Sequence, residues 1–254
     1  MYNEILTIGS FTIHGYGLMI GLGVAAALMM GDYRSKKFGL IGDHIYGMTF
    51  SAVILGFLAA RILFIITEWQ DFLQNPMRYL SGAGFVVYGG IIGGALTIYG
   101  FCKIKKIDML AYLDLMIPSV ALAQAFGRVG CFLAGCCYGR ETDSFLGVVF
   151  TNSDFAPNGV KVLPTQLFMA SGDLVIMAVL LWYAKKRDLR GRTSALYLIL
   201  YSVGRFCVEF LRNDDRGMVG VLSTSQFIAV FTFVIGVLGY FVILPKMEKK
   251  ASEA

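Results

Sequence analysis

The stretch Ala125–Arg140, AFGRVGCFLAGCCYGR, sets Arg128, four glycines and three cysteines between two apolar segments. It does not read as the continuation of an ordinary membrane helix, yet it stands where one should end. The runs on either side, about Met109–Phe126 and Thr165–Ala184, are each long enough to cross a bilayer core of roughly 30 Å as a helix. Moving outward, further runs cover about Phe11–Gly31, His44–Ile66 and Gly84–Phe101 on one side. Thr193–Phe210 and Val219–Leu244 follow on the other. All are expected as helices, because a strand crosses in only about 10 residues.

The composition agrees with this reading. Of 254 residues, 57% are hydrophobic and 15% charged, and the mean hydropathy is +0.68. Soluble domains are seldom so poor in charge. The expectation is an all-α integral membrane protein, a single membrane domain over 1–254 built as a bundle of seven transmembrane helices. A small extracytoplasmic head, an insert of about 127–164, lies between helices four and five. The net charge of +5 does not point to nucleic acid, because the basic residues fall in short clusters between apolar runs. Met1–Ser10 carries no Lys or Arg, so the first run is expected as a retained helix rather than a cleaved leader.

Those clusters set the orientation. Arg34, Lys36 and Lys37; Lys103, Lys105 and Lys106; Lys185, Lys186, Arg187, Arg190 and Arg192; and Lys246, Lys249 and Lys250 make up 14 of the 22 basic residues. Placed together on the cytoplasmic face, they put the N-terminus outside and the C-terminus inside, as seven spans require. Two outer connections are long, Trp69–Gly82 and 127–164. The second includes Thr142–Pro164, which is polar and turn-rich.

Charged groups inside spans are costly, so they mark function or a fixed partner. Arg61, Arg128, Arg205 and Glu209, with His14, Tyr16 and Tyr88, all fall near the outer ends of their spans. Several arginines at headgroup depth suit an anionic ligand, most naturally a lipid phosphate, since guanidinium pairs with phosphate through two hydrogen bonds and keeps its charge. Snorkelling to the headgroups is the bland alternative for any one of them. Together they favour a polar cavity opening toward the outer leaflet. Glu209, one turn from Arg205, is placed to pair with it. Asp114 and Asp173 are expected in structural roles, Asp114 by satisfying backbone groups freed at Pro118. The glycines Gly15, Gly17, Gly21 and Gly23, and Gly89, Gly90, Gly93 and Gly94, are read mostly as close helix packing.

Cys131, Cys136 and Cys137 belong to the outer side. No histidine lies near them and their spacing is not a standard zinc pattern, so no metal is expected. A structural role or a disulfide is favoured in an oxidising compartment. A reactive thiol would need a cation beside it, which Arg128 could supply.

The residues now on the page resemble the prolipoprotein diacylglyceryl transferases. Gly127-Arg128-Val129-Gly130, with Cys131-Phe132 and a closing Tyr138-Gly139, is similar to that family's signature. Tyr16-Gly17-Leu18-Met19 resembles its early Tyr-Gly-Leu segment, and Asp114 and Pro118 stand at the family's distance before the signature. Pro164-Thr165-Gln166-Leu167-Phe168 resembles its Pro-Ser-Gln-Leu-Tyr element. Tyr201-Ser202-Val203-Gly204-Arg205, followed by Glu209-Phe210-Leu211-Arg212, resembles its late region. The resemblance implies a bacterial plasma-membrane enzyme with its active site toward the outer leaflet. It moves a diacylglyceryl group from phosphatidylglycerol to the lipobox cysteine of a prolipoprotein, releases glycerol phosphate, and needs no cofactor. By position it makes Arg128, Arg205 and Tyr88 catalytic. Arg128, Tyr16, Tyr201, Cys131, Gly139 and, from the arginine cluster, Arg61 then bind substrate. The chain departs from the pattern in three places: Tyr88 stands for the usual His, Cys131 for an Asn, and Cys136 and Cys137 lie where the signature carries a Glu. The alternatives are a relative with another acceptor, or a non-enzymatic lipid-binding or transport protein. The absence of an internal repeat counts against a transporter.

Overall fold

The computed structural model of the protein describes residues 4–8, 11–81, 84–185, 190–214 and 217–252. Met1, Ser10, Gly82, Lys186 and Arg187, used above, lie outside the described residues. The chain divides into two compact units, Met1–Gly31 with Leu113–Ala254, and Asp32–Tyr112.

Six helices are long and apolar enough to cross a membrane: α1 (Gly15–Phe38), α2 (Gly42–Thr67), α5 (Val87–Lys105), α6 (Met109–Ala134), α7 (Thr165–Ala184) and a last one over Thr224–Lys250. The last comprises α9 (Thr224–Leu238), one π turn over Gly239–Ile243, and α10 (Leu244–Ser252). The sixth expected span, about Thr193–Phe210, is also a helix, α8 (Arg192–Glu209). Arg192, Arg205 and Glu209 leave it too polar to count by composition. The protein is thus an all-α membrane protein, with six such helices among the described residues.

Several boundaries differ from the expectation: α1 runs on to Phe38, α5 covers Val87–Lys105, and the last span starts at Thr224, after a short hairpin of Met218–Val219 with Leu222–Ser223. Phe11–His14 is not helical. It forms β2, which pairs antiparallel with β1 (Glu4–Ile8) in a hairpin, and its Thr12 and Ile13 are β-branched residues suited to a strand. Trp69–Gln74 (α3) and Pro76–Ser81 (α4) make two short helices of the first long connection. The largest difference concerns the opening stretch, for α6 continues through Arg128 and Cys131 to Ala134. Its glycines cost helix propensity, but Gly130 lets α6 press on α1. A Cβ there would stand 3.2 Å from both the Met19 Cβ and the Tyr16 ring.

In the unit Asp32–Tyr112, α2 packs along α5 through small residues. A Cβ on Gly89 would lie 2.6 Å from the Ala59 carbonyl, and one on Gly93 would collide with Ala59. Close packing therefore accounts for Gly89 and Gly93, while Gly90 and Gly94 would make only ordinary contacts. In α1 it accounts for Gly23, which meets Phe126 and Ala123, whereas Gly17 and Gly21 face open space.

In the other unit, α8 packs on α7 and α9. Ala121, Leu180 and Tyr197 form one core. The carboxylate of Asp114 caps α8 across the unit. It accepts from the backbone N–H groups of Gly191 (2.8 Å), Thr193 (3.2 Å) and Ser194 (2.7 Å), and from the Ser194 hydroxyl (2.7 Å). Its role is structural, but the groups it satisfies belong to the first turn of α8 and not to the Pro118 kink. Between α6 and α7 the chain folds around Phe150, Ala156 and Val162. There β3 (Val148–Val149) pairs with β4 (Lys161–Val162).

Candidate active site

Helix α6 ends in a glycine-closed turn. Gly135 takes the left-handed region at φ 77°. Its N–H bonds the Phe132 carbonyl and the Cys136 N–H bonds the Cys131 carbonyl, both at 3.1 Å. This pair of bonds folds the chain back over the last helical turn. A Cβ at 135 would collide with Ser153, so the position requires glycine twice over. Cys137 follows at φ 66°, uncommon for a residue with a side chain. Two side chains of α7 pin the turn: Thr165 Oγ1 donates to the Cys137 carbonyl and Gln166 Nε2 to the Cys136 carbonyl, each at 2.7 Å. As a result the three Sγ atoms of Cys131, Cys136 and Cys137 lie within 4.8 Å of one another. Their linear spacing concealed this.

The chain after the cysteines is held from both sides. The Gly139 N–H bonds the Leu163 carbonyl at 2.9 Å, and the Arg140 N–H bonds the Leu211 carbonyl at 2.9 Å. Gly139, expected at the substrate, sits at the tightest point. A Cβ there would stand 2.7 Å from the Leu211 carbonyl and 2.8 Å from Leu163.

Three arginines approach this turn. Arg128 lies on α6 one turn before Cys131. Arg205 lies on α8, and its electrostatic neighbours include Arg128, Arg212 and Tyr201. Arg212 lies just past α8, beside Cys137. Two of the three are held by acids. Arg205 reaches Glu209 at 3.0 Å and Ser225 Oγ at 2.6 Å, and Glu209 also accepts from the Ser223 hydroxyl at 2.7 Å. Arg212 forks onto Asp214 at 3.1 and 2.8 Å. Arg128 makes no ion pair among the described residues. Its neighbours are the Tyr201 hydroxyl, Cys131 and Cys137.

The aromatic residues complete the group. Tyr16, 45% exposed, stands near Arg128 and all three cysteines. Tyr201 stacks on Tyr197 with ring centroids 5.5 Å apart, and Tyr197 donates to Gln124 at 2.6 Å. Between α7 and α8 lies a small pocket lined by apolar Phe168, Ile176 and Val208 and by polar Asp173, Tyr201 and Arg205. Asp173 is buried and its Oδ2 has no hydrogen-bond partner among the described residues. Hydrogen bonds with Cys131 and Cys136 hold the Cys137 thiol far below its ordinary range, helped by Arg212 and Arg128 and opposed by burial. The same sulfur contacts push Cys136 up.

The expected residues Tyr16, Arg128, Cys131, Gly139, Tyr201 and Arg205 thus belong to one unit. Arg61 and Tyr88 belong to the other. The Arg61 guanidinium donates to the Gly84 carbonyl at 2.7 Å and to the Tyr79 carbonyl, and lies 5.4 Å from the Phe85 ring centroid. It staples the connection before α5 onto α2. Tyr88 is 41% exposed on the first turn of α5. Sequence reasoning passed over Arg212, Thr165 and Gln166. All three stood inside quoted motifs, and the signal was their polarity in otherwise apolar surroundings.

Comparison with known proteins bears on this arrangement. The family model described as "Prolipoprotein diacylglyceryl transferase" matches residues 3–242. A Clostridium tetani protein named phosphatidylglycerol–prolipoprotein diacylglyceryl transferase is 52% identical over 226 residues, 89% of this chain and 91% of its own length. A Clostridium perfringens protein of the same name, numbered 2, is 47% identical over 95% of both chains. A Dehalococcoides mccartyi relative of that name is 32% identical over 97% of this chain and 95% of its own. With matches of this length and identity, the chain belongs to the prolipoprotein diacylglyceryl transferase family.

Proposed function

We propose that the protein transfers a diacylglyceryl group from phosphatidylglycerol to the lipobox cysteine thiol of a prolipoprotein, at the outer leaflet of a bacterial plasma membrane. The observation that carries the reading is Arg128. Of three neighbouring arginines it is the one without an acid partner among the described residues, and it faces Tyr201. Arg205 and Arg212 stand behind it with their own charges largely met by Glu209 and Asp214. An anion entering this field gains most at Arg128. A phosphodiester has that charge, and the small pocket between α7 and α8 sets apolar Phe168, Ile176 and Val208 beside Tyr201 and Arg205.

The chemistry asks for the same features. A thiolate attacks a glyceryl carbon, the carbon–oxygen bond to phosphate breaks, and the electron pair leaves on a phosphate oxygen. Fixed donors aimed at that oxygen stabilise the developing charge without reorganising. Arg128 supplies these donors, and Arg205 is the second arginine of the clamp. Tyr16 and Tyr201 line the lipid headgroup, Cys131 faces it, and Gly139 fixes the wall. Arg61 positions the segment that precedes Tyr88. Tyr88 is the side chain at the usual place of the family's histidine, and unchanged turnover in Tyr88→Phe would remove its hydroxyl from the reaction.

In this reading α8 is a seventh span, the segment between α6 and α7 forms the extracytoplasmic head, and the clustered lysines and arginines face the cytoplasm. The test is transfer from labelled phosphatidylglycerol to a lipobox peptide by the purified protein. Thioether product from the native chain and none from Arg128→Ala is the expected result. Product from both would remove Arg128 from the site. Lipid retention without product would leave a binding protein.

A further inference from the structure

Among the described residues, Cys131, Cys136 and Cys137 form the one grouping of three side chains able to hold a metal ion. Their sulfurs lie within 4.8 Å of one another. Four-coordinate zinc, with Zn–S bonds of about 2.3 Å, asks for sulfurs about 3.8 Å apart, a change that side-chain rotation supplies. The backbone is already fixed by the Gly135 turn, by the left-handed Cys137 and by Thr165 and Gln166. Binding therefore costs little ordering. No fourth histidine, cysteine or carboxylate among the described residues joins the group. Zinc sites closed by four protein ligands are structural, whereas three ligands with an open position are the catalytic pattern. All three cysteines are only half-buried, which leaves a side for an incoming ligand. Three thiolates on Zn²⁺ carry a net negative charge, and Arg128 and Arg212 stand beside the sulfurs to balance it.

We propose that Cys131, Cys136 and Cys137 bind a zinc ion whose fourth position takes the acceptor cysteine. The inference rests on the transferase reading above and adds to it the means by which the acceptor thiol is activated. Metal binding strips a thiol of its proton, and a zinc-bound thiolate remains a nucleophile toward carbon. The acceptor S–H gives its proton to the hydroxide on zinc, which leaves as water, and the sulfur binds in its place. The sulfur then forms its bond to the glyceryl carbon while the bond from that carbon to the phosphate oxygen breaks. The electron pair departs on that oxygen, beside Arg128. The thioether product is a weaker ligand and gives way to water. Nothing is oxidised or reduced. Such activation gives the three cysteines that stand where the family carries Asn and Glu a joint purpose, and it relieves Tyr88 of the need to act as a base.

The experiment uses the full chain purified in detergent. Metal analysis should find about one zinc per chain, absent from Cys137→Ser and from the triple Ser variant. Cobalt(II) in place of zinc should give a sulfur-to-metal charge-transfer band. A lipobox peptide with one cysteine should shift the visible cobalt spectrum, and the same peptide with serine should not. Removing zinc with a chelator should abolish thioether formation, and added zinc should restore it. Thermal unfolding serves as the folding control for both variants, and retention of phosphatidylglycerol as a second control for Cys137→Ser. No zinc and no cobalt–thiolate band in folded protein would overturn the site. A bound metal whose spectrum ignores the cysteine peptide, or full turnover by metal-free protein, would overturn its role. A peptide-dependent cobalt spectrum without any transfer from phosphatidylglycerol would uphold the site and bring down the transferase reading instead.

Discussion

Arg128 and Arg205 sit close together but answer to different partners. Arg205 is fixed by Glu209 and Ser225, and Glu209 is itself fixed by Ser223 in the capping box of α9. A lysine at 205 would put a single ammonium nitrogen where the planar fork spans Glu209 and Ser225, and so hold the two partners less well. Among the described residues Arg128 is held by no acid, so under the proposed function its substitution should weaken ligand binding more than it disturbs the protein. Arg128→Ala should lower turnover by about 10²–10³ or more, the usual loss when a donor to a developing oxyanion is removed, with thermal stability near that of the native chain. Arg205→Lys should lose both turnover and some stability, read by the same assay and by unfolding in detergent. Equal behaviour of the two variants would contradict this division. Gly139 makes a third case. With Leu211 and Leu163 within 2.8 Å of a Cβ at that position, Gly139→Ala should destabilise by roughly 1–3 kcal/mol, the range for overpacking. It should lower the unfolding temperature before it alters lipid preference.

At the scale of elements, the cap on α8 and the seam between α2 and α5 make the strongest claims. Asp114 brings a negative charge to the positive end of the α8 dipole and satisfies three backbone N–H groups. Removing such a cap costs about 0.5–2 kcal/mol, and here the N–H groups would be left buried. Asp114→Ala should therefore cost at the upper end of that range, and Asp114→Asn less, as measured by unfolding. A loss in Asn equal to that in Ala would mean the charge carries the effect. In the seam, Gly93→Leu should separate α2 from α5 and reduce folded yield, while Leu at Gly17, where space is open, should be tolerated. The sequence makes these elements legible to different degrees. The Arg205–Glu209 pair is readable because i and i+4 share a helix face, and the α5 glycines because their spacing is that of close helix contact. The partner of Asp114 is not readable, since it stands 77 residues away and no local pattern announces it. The cysteine group hides for another reason: only the Gly135 reversal brings Cys136 and Cys137 back over Cys131. The run to Ala134 was obscured by Gly127 and Gly130, which weaken helix locally but permit the contact with α1 that keeps it.

For the whole molecule, the number of crossings decides on which sides the termini lie, and α8 decides the number. Six apolar helices alone would return both termini to one face. Counting α8 puts them on opposite faces and sends every lysine- and arginine-rich connection to the same side. An α8 confined to an interface would leave the connection Lys185–Arg192 and the stretch Lys246–Lys250 on opposite faces, splitting the basic clusters. The polar residues of α8 also have partners: Arg192 binds Glu248 at 2.9 and 2.5 Å, Ser202 meets Thr232 at 2.6 Å, and Arg205 meets Glu209. A helix whose polar groups are met by neighbours can cross at low cost, although composition alone counts it out. Epitope tags added before residue 1 and after residue 254, probed by protease in intact spheroplasts, should give cleavage of the N-terminal tag only. Cleavage of both tags or of neither would mean an even number of crossings. It would also overturn the proposal that the segment between α6 and α7 and the basic clusters lie on opposite sides of the membrane.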